Sequence, residues 1–201
     1  MGKLWELEKH KSKTALLSDD GICLTYGKLD EECKKLAEIV NHRSLVFSLC
    51  ENSAGSVLGY VAFLNHHMVP LLLNSRLDQE LLDNLLAAYC PSYLWVPEIR
   101  KKDFADTDCV YSAYGYVLLK CRYEKKYVLH DQLALLLTTS GSTGSPKLVR
   151  QSYKNILDNA QSIVQYLELD ASEKPITTLP MNYTYGLSII NSHLLAGAEI
   201  L

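Results

Sequence analysis

The residues with the clearest chemical potential form one stretch, Thr139-Ser-Gly-Ser-Thr-Gly-Ser-Pro-Lys147, which follows a run of leucines. Two glycines in it let the backbone approach an anion closely. Hydroxyl donors and one cation accompany them. Several neutral donors beside a single positive charge suit a polyphosphate that arrives with magnesium. The residue types alone leave a second interpretation open, a flexible surface loop, because Gly, Ser, Thr and Pro are common in any loop.

The spacing of these residues argues against two familiar nucleotide-binding loops. In the Walker-type pattern G-x-x-x-x-G-K-[ST], counted from Gly141, Lys147 falls at the right place. Pro146, however, replaces the second glycine, and Leu148 replaces the hydroxyl that binds magnesium. The dinucleotide pattern G-x-G-x-x-G needs a third glycine, which the stretch lacks. A P-loop kinase is therefore disfavoured, and we predict a phosphate-binding loop of another kind.

Other residues with catalytic or metal-binding potential are better explained by structure. His66 and His67 lie between a predicted helix and a predicted strand, which favours a turn, and His193 is expected to pack on the last helix. The Asp-Asp-Gly stretch at 19–21 predicts a turn before a strand, because the later ligands of a calcium loop are missing. The six cysteines form no CxxC pair and no close His-Cys cluster. We therefore expect free thiols and no metal site.

Alternating apolar runs and amphipathic segments must position the loop. The rhythm of strand, helix, strand, helix and strand over 45–96 predicts a parallel sheet covered by helices. Another apolar run at 133–137 predicts that the loop leaves the end of a buried strand, the edge where open α/β sheets bind ligands. The predicted strands are 45–50, 69–73, 92–96 and 133–137, and the predicted helices are 24–40, 56–65 and 76–89.

The remaining segments are predicted as follows. Residues 97–131 are charged and rich in tyrosine, which indicates one or two strands joined by polar turns. After the loop we predict a helix over 152–169 that Ser152 caps, and a last helix over 187–195 that Gly197 closes. Between these helices we predict a strand at 176–179 and a loop at 180–186.

Composition removes several classes of function. With 48% hydrophobic and 21% charged residues, the 201-residue chain is an ordinary globular sequence that buries a real core. A net charge of -3 offers no bulk attraction to nucleic acid or anionic lipid. The most apolar stretch, 56–73, is interrupted by Asn65, two histidines and Pro70, so it predicts core and not a membrane span. The charged N-terminus lacks a signal peptide, and we expect a cytoplasmic protein.

The loop at 139–147 resembles the signature loop of the adenylate-forming superfamily, which comprises acyl-CoA synthetases, adenylation domains of peptide synthetases and firefly-type luciferases. Three further segments resemble family elements in the same order: 24–30 (LTYGKLD), 51–86, and 179–187 (LPMNYTYGL). The resemblance covers nearly the whole chain. It implies an α/β fold with layered, mostly parallel sheets covered by helices, as in the first part of the large N-terminal domain of these enzymes.

The resemblance also implies a reaction, the activation of a fatty acid or small carboxylic acid with ATP and Mg²⁺. The carboxylate attacks the α-phosphate, pyrophosphate leaves, and the acyl-adenylate is captured by coenzyme A or by the phosphopantetheine of a carrier protein. Tyr183, where the family often has histidine, and Gly186 would border the acid, while Tyr185 fits either the pocket wall or core packing. The residues assigned to the ATP phosphates are Thr139, Ser140, Gly141, Ser142, Thr143, Gly144 and Lys147.

Two departures from the family limit these expectations. Leu148 stands where glycine is usual, and the chain lacks the elements that follow in family enzymes, from the adenine-contacting segment to the mobile C-terminal domain with its catalytic lysine. We therefore interpret residues 1–201 as a truncated part of an AMP-binding domain without an assigned catalytic residue, and expect the isolated chain to be inactive. The alternative is a non-catalytic phosphate-binding or interaction module of the same fold. Apolar surface exposed by truncation makes a second copy of the chain a candidate partner.

Overall fold

The computed structural model of the chain describes residues 2–125, 127–138 and 147–201. Within these ranges the strands are β1 Thr14–Leu17, β2 Cys23–Thr25, β3 Leu45–Cys50, β4 Val69–Asn74, β5 Tyr93–Pro97, β6 Asp108–Ala113, β7 Tyr116–Lys120, β8 Leu133–Thr138 and β9 Leu148–Ser152. The α-helices are α1 Tyr26–Val40, α2 Ala54–Asn65, α3 Gln79–Tyr89, α4 Tyr153–Leu167 and α5 Thr184–Ala196. Short 3₁₀ helices occupy Leu7–His10 and Glu98–Asp103.

Seven of the strands form one sheet in the order β6-β7-β5-β3-β4-β8-β9. The four central strands, β5, β3, β4 and β8, run parallel to one another, as the alternation of strands and helices predicts. Antiparallel strands complete both edges, with β7 and β6 on one side and β9 on the other. A separate antiparallel pair, β1 and β2, forms a second small sheet. The predicted α/β fold is therefore confirmed, with a parallel centre and antiparallel edges.

Helices cover both faces of the large sheet. Successive residues of a strand point to opposite faces, so Val46 belongs to the core under α1, α2, α4 and α5, while Phe47 belongs to the core under α3. Both residues are fully buried. This burial on two faces explains why the central strands read as continuous apolar runs in the sequence.

Side-chain caps start the helices close to their predicted positions. The hydroxyls of Thr25, Ser53 and Ser152 and the carboxylate of Asp78 each accept a hydrogen bond from a backbone N–H in the first turn. Because Asp78 caps α3, that helix begins at Gln79, three residues later than the sequence predicts. Gly197, with φ of 74°, ends α5 as predicted.

Both predicted turns are present. Gly21, with φ of 85°, lies in the turn between β1 and β2, where the N–H of Ser18 donates a 2.9 Å hydrogen bond to the carbonyl of Ile22. His66 and His67 connect α2 to β4, and the carbonyl of His67 accepts a hydrogen bond from Arg43 Nη1. In the part of the chain that the structure describes, no helix has the length and apolar character needed to cross a membrane.

The predicted strand at 176–179 is wrong. The carbonyls of Thr177 and Leu179 accept hydrogen bonds of 2.6 and 2.9 Å from the side-chain amide of Asn52, and the Thr177 N–H donates to the carbonyl of Leu201. Backbone pairing with Leu201 thus stops at Thr177, and beyond it the side chain of Asn52 binds the carbonyl of Leu179. Ile176 is 66% exposed, so the apolar character that suggested a strand does not serve a core.

Two further expectations need correction. The loop predicted at 180–186 ends earlier, because α5 begins at Thr184 and not at Leu187. Tyr185 lies on the first turn of that helix with 72% of its surface exposed, so the core-packing interpretation is wrong. Strand β9 has no counterpart among the predicted elements. Its half-exposed sequence LVRQS gives little periodic signal, and antiparallel pairing with β8 defines it.

Candidate functional site

The carboxyl ends of three parallel strands, β3, β4 and β8, lie side by side. They form the edge of the large sheet that runs across the strand ends, which is distinct from the lateral edges at β6 and β9. Ligands of open α/β sheets bind at this edge. Strand β8 ends at Thr138, which pairs with Leu148, the first residue of β9. Lys147 directly precedes β9 and is exposed, so the structure carries the predicted phosphate ligand to this edge. The other predicted phosphate ligands, Thr139, Ser140, Gly141, Ser142, Thr143 and Gly144, lie outside the described residues.

A cavity of about 360 Å³ lies beside β8, between the sheet and helices α4 and α5. This volume falls in the usual range of small-molecule sites. No charged side chain is among its described lining residues. Two leucines of β8 form an apolar part of the wall, and most other positions carry amides or hydroxyls. The lining residues are Leu135, Leu137, Gln151, Asn155, Ile156, Asn159, Thr184, Tyr185, Leu187, Ser188 and Asn191.

The three asparagines of this cavity are each held by a neighbour. Oδ1 of Asn155 accepts hydrogen bonds from the N–H and the hydroxyl of Ser152, at 3.4 and 2.5 Å, within the capping box of α4. Oδ1 of Asn191 accepts a 2.8 Å hydrogen bond from the hydroxyl of Tyr60 on α2. Oδ1 of Asn159 lies 3.4 Å from the hydroxyl of Ser188. These contacts hold the polar wall in place.

Burial controls the titratable groups near this edge. It raises the pKa of the Tyr60 phenol, although the hydrogen bond to Asn191 works against it, so the hydroxyl is protonated and donates at neutral pH. Burial also raises the pKa of the Cys50 thiol, at the end of β3, to about 11. Cys50 is therefore a neutral thiol at pH 7 and not a nucleophile.

Tyr183 and Gly186, predicted to border the acid, lie at the start of α5 but are not among the cavity's lining residues. Tyr183 is 51% exposed. Gly186 is buried, and a Cβ at this position would lie 2.4 Å from the carbonyl oxygen of Pro180. The glycine therefore lets α5 pack against the preceding loop. The role of both residues toward an acid stays a prediction.

Tyr185, one of whose two predicted roles was the pocket wall, lines the cavity, whereas the sequence did not predict the other lining residues of α4 and α5. A signal was present, since Asn155 and Asn159 are four residues apart and share one side of α4 next to the apolar Ile156. Asn191 likewise adjoins the buried Ile190 on α5. Among the described residues, no group of three His, Cys, Asp or Glu side chains is arranged to hold a metal ion.

Comparisons with known proteins agree with this architecture. A family model described as "AMP-binding enzyme" matches residues 4–201. The 2-succinylbenzoate–CoA ligase of Oceanobacillus iheyensis is 25% identical over 204 residues, which cover 94% of this chain and 41% of the ligase. The 3,4-dihydroxybenzoate–[aryl-carrier protein] ligase of Bacillus anthracis is 30% identical over 80 residues, 40% of this chain and 19% of that protein.

The fold is also similar to solved structures. The crystal structure of ATP-bound MatB from Rhodopseudomonas palustris matches with a TM-score of 0.79 and 21% identity, over 98% of this chain and 43% of MatB. At this identity the match concerns the fold. The chain spans less than half the length of each of these relatives.

Proposed function

The chain belongs to the AMP-binding enzyme family, and on this basis we propose that the protein that carries it activates a carboxylic acid with ATP. The acid's carboxylate attacks the α-phosphate, pyrophosphate leaves, and an acyl-adenylate forms. A thiol then displaces AMP to give a thioester.

One observation carries this proposal: the cavity and Lys147 flank the end of the same strand. Leu137 of β8 lines the cavity and pairs with Val149, two residues beyond Lys147. An acid in the cavity and phosphates at the loop would therefore be neighbours, as adenylate formation requires. In the proposed scheme the loop residues 139–144 and Lys147 hold the β- and γ-phosphates, so that charge developing on the departing pyrophosphate meets preorganised donors.

The acid-binding part of the proposal uses the cavity between β8, α4 and α5. Tyr183 and Gly186 are proposed to shape its approach from the start of α5. We propose Mg²⁺ as the companion of ATP, and because the described residues supply no acidic cluster for it, no step is assigned to the ion.

The acceptor thiol is proposed to belong to coenzyme A or to the phosphopantetheine of a carrier protein. The names of two relatives support both choices, since one is a CoA ligase and the other an aryl-carrier-protein ligase. The cytoplasmic location and self-association stay predictions. Sedimentation velocity of the purified chain measures the second.

We further propose that the 201 residues alone form little or no acyl-adenylate. The family elements from the adenine-contacting segment to the mobile domain with its catalytic lysine are not among them, and positioning contributes roughly 7–11 kcal/mol to such reactions. Acid-dependent exchange of pyrophosphate into ATP measures this activity, and robust exchange by the purified chain would overturn the statement. Binding without exchange is also what the alternative, a non-catalytic phosphate-binding module, would show.

The test of the phosphate site is a calorimetric titration of the purified chain with Mg-ATP and with pyrophosphate. We expect binding of both, and a loss of about tenfold in affinity in Lys147→Ala, because one charge-assisted contact is removed. Lys120→Ala, an exposed lysine on β7 near the opposite edge of the sheet, is the matched control and should bind like the unchanged chain. Equal affinity in Lys147→Ala and Lys120→Ala would contradict the proposed role.

A further inference from the structure

Resting on the proposed function, we propose that the acid taken by the cavity carries an uncharged hydrogen-bond acceptor, such as an ether, carbonyl or hydroxyl oxygen, on the part remote from its carboxylate. The cavity is the one between β8, α4 and α5. The inference comes from the orientation of the amides that line it.

The orientation of the Asn191 amide is fixed by Tyr60. Tyr60 is fully buried, and its hydroxyl needs an acceptor, which Asn191 Oδ1 provides at 2.8 Å. The opposite orientation of the amide would leave the phenolic hydrogen without a partner inside the core. Asn191 therefore turns its oxygen to α2, and its Nδ2 group is left for another partner.

Asn155 is oriented in the same sense by a different contact. The backbone N–H of Ser152 is a donor only, so the atom that it contacts at 3.4 Å must be the amide oxygen of Asn155. The Ser152 hydroxyl donates to the same oxygen at 2.5 Å. Capping of α4 thus also leaves the Nδ2 group of Asn155 available.

These Nδ2 groups have no protein acceptor in the part of the chain that the structure describes, where neither Asn155 nor Asn191 donates a side-chain hydrogen bond. Asn191 is only 5% exposed and Asn155 is an exposed residue, and neither Nδ2 is among the buried side-chain atoms without a partner, so water that enters the cavity reaches both donors. A ligand that displaces this water with an oxygen keeps the donors paired, whereas an apolar group would bury them unpaired at a cost in free energy. The cavity is therefore complementary to an acceptor.

The absence of charged side chains among the described lining residues further restricts the class of acid that fits the cavity. A second carboxylate or an ammonium on the acid would lose part of its hydration without a counterion among the described lining residues, which is unfavourable. A purely aliphatic tail would pack against the leucines of β8 but leave the amide donors unpaired. An acid with a neutral acceptor can both pack against the leucines and accept hydrogen bonds from the amides.

A series of acids of nearly equal size tests the inference on the whole purified chain. Cyclohexanecarboxylate has no acceptor on its ring, and tetrahydropyran carboxylate places an ether oxygen opposite the carboxyl carbon. Isonipecotate places an ammonium there, and cyclohexane dicarboxylate a second carboxylate. The dissociation constants are measured by NMR from the side-chain amide resonances of Asn155 and Asn191.

We expect the ether acid to bind about fivefold more tightly than cyclohexanecarboxylate and about tenfold more tightly than either doubly charged acid. The double variant Tyr60→Phe with Asn191→Leu should weaken the preference for the ether acid, because it replaces one of the two amide donors and its buried partner by apolar groups of similar shape and leaves only the Asn155 donor. Asn84→Leu, an exposed asparagine on α3 on the other face of the sheet, should keep the preference.

Several outcomes would overturn the inference: equal or weaker binding of the ether acid, tighter binding of a doubly charged acid, a preference that the double variant leaves unchanged, or no shift of the cavity amides with any acid. The Mg-ATP titration is independent of this series. If ATP binds and the acid preference fails, the proposed function stands and the substrate class is wrong. If the preference holds and ATP does not bind, the cavity stands and the proposed function fails.

Discussion

The hydroxyl of Tyr60 on α2 donates a 2.8 Å hydrogen bond to Oδ1 of Asn191 on α5, and so connects the most deeply buried helix of the fold to the wall of the candidate acid site. Both residues lie in the core, with 0% and 5% of their surfaces exposed. The order of the site thus depends on a contact between residues 131 positions apart in the sequence.

Because of this contact, substitutions of Tyr60 and of Asn191 should have non-additive effects on the free energy of unfolding. Tyr60→Phe should lower the free energy of unfolding by about 1–2 kcal/mol, because the amide oxygen of Asn191 loses its donor. Asn191→Leu should cost about 1–3 kcal/mol, since it leaves the phenolic hydroxyl unpaired in the core. The double variant should cost about 1 kcal/mol less than the sum of the single changes. Urea unfolding of the unchanged chain, the two single variants and the double variant measures this difference. Additive costs would show that the hydrogen bond is not formed.

Asn52 is predicted to hold the segment before α5 in place. Its Nδ2 donates to the carbonyls of Thr177 and Leu179, and its Oδ1 accepts from the N–H of Met181 at 3.2 Å. Asn52→Asp keeps the acceptor and loses both donors, so we expect a loss of about 1–3 kcal/mol in unfolding free energy and faster hydrogen exchange of the Met181 amide.

The matched control for Asn52 is Asn74→Asp, at the end of the neighbouring strand β4. Oδ1 of Asn74 accepts a 2.8 Å hydrogen bond from the N–H of Arg76, and aspartate preserves that contact. We therefore expect little change in the control. If both variants exchange alike, the Asn52 side chain does not hold the segment.

Gly186 is predicted to be required by packing. A Cβ at this position would lie 2.4 Å from the carbonyl oxygen of Pro180 and 2.8 Å from that of Leu179, both of them backbone atoms. Gly186→Ala should therefore destabilise the chain by about 1–3 kcal/mol, although alanine normally favours a helix over glycine. Thermal unfolding measures the change. Gly2→Ala, where nothing lies within 4 Å of the added Cβ, should be neutral, and an unaltered melting temperature for Gly186→Ala would refute the packing argument.

Asp30 is predicted to give the chain a pH-dependent contribution to stability. Its side chain is 1% exposed and forms ion pairs with Lys3, at 2.7 Å, and Lys34, at 2.5 Å. Burial by itself would raise the pKa of this carboxyl, but the two lysines outweigh it and hold the pKa below its ordinary value. A carboxyl pKa that is lower in the folded chain stabilises the folded state at pH values above the pKa in the unfolded chain, about 3.9. This stabilisation is lost as the pH falls through the pKa in the folded chain.

Asp30→Asn should therefore cost about 1 kcal/mol near neutral pH, a modest value because both lysines are partly exposed and screened by solvent. The difference from the unchanged chain should shrink as the pH falls below about 4. Asp158→Asn removes an exposed i,i+4 pair with Lys154 on α4 and serves as the control, with no measurable change expected. Urea unfolding over a range of pH measures both, and a cost for Asp30→Asn that is independent of pH would contradict the ion-pair explanation.

Local patterns in the sequence determined much of this protein. The apolar runs of β3, β4 and β8, the helical spacing of α1 and α4 and the cap at Ser152 are all short-range features, and each lies close to its predicted position. The parallel centre of the sheet follows from the alternation of strands and helices. The position of Lys147 next to the end of a buried strand was likewise readable, since it needs only the strand and the few residues after it.

The tertiary structure alone decided which segments meet. Residues 176–179 look like a strand, but the side chain of Asn52 binds the carbonyls of Thr177 and Leu179, and among the described residues backbone pairing is limited to bonds of the neighbouring residues with Leu201, such as that from the Thr177 N–H. The residues LVRQS become β9 only because β8 pairs with them. The cavity arises where α4 and α5 pack beside β8, and the direction of the Asn191 donors depends on Tyr60 in another helix. Periodicity reports which face of an element is apolar, whereas a hydrogen bond between distant elements depends on their final placement, and no local pattern records it.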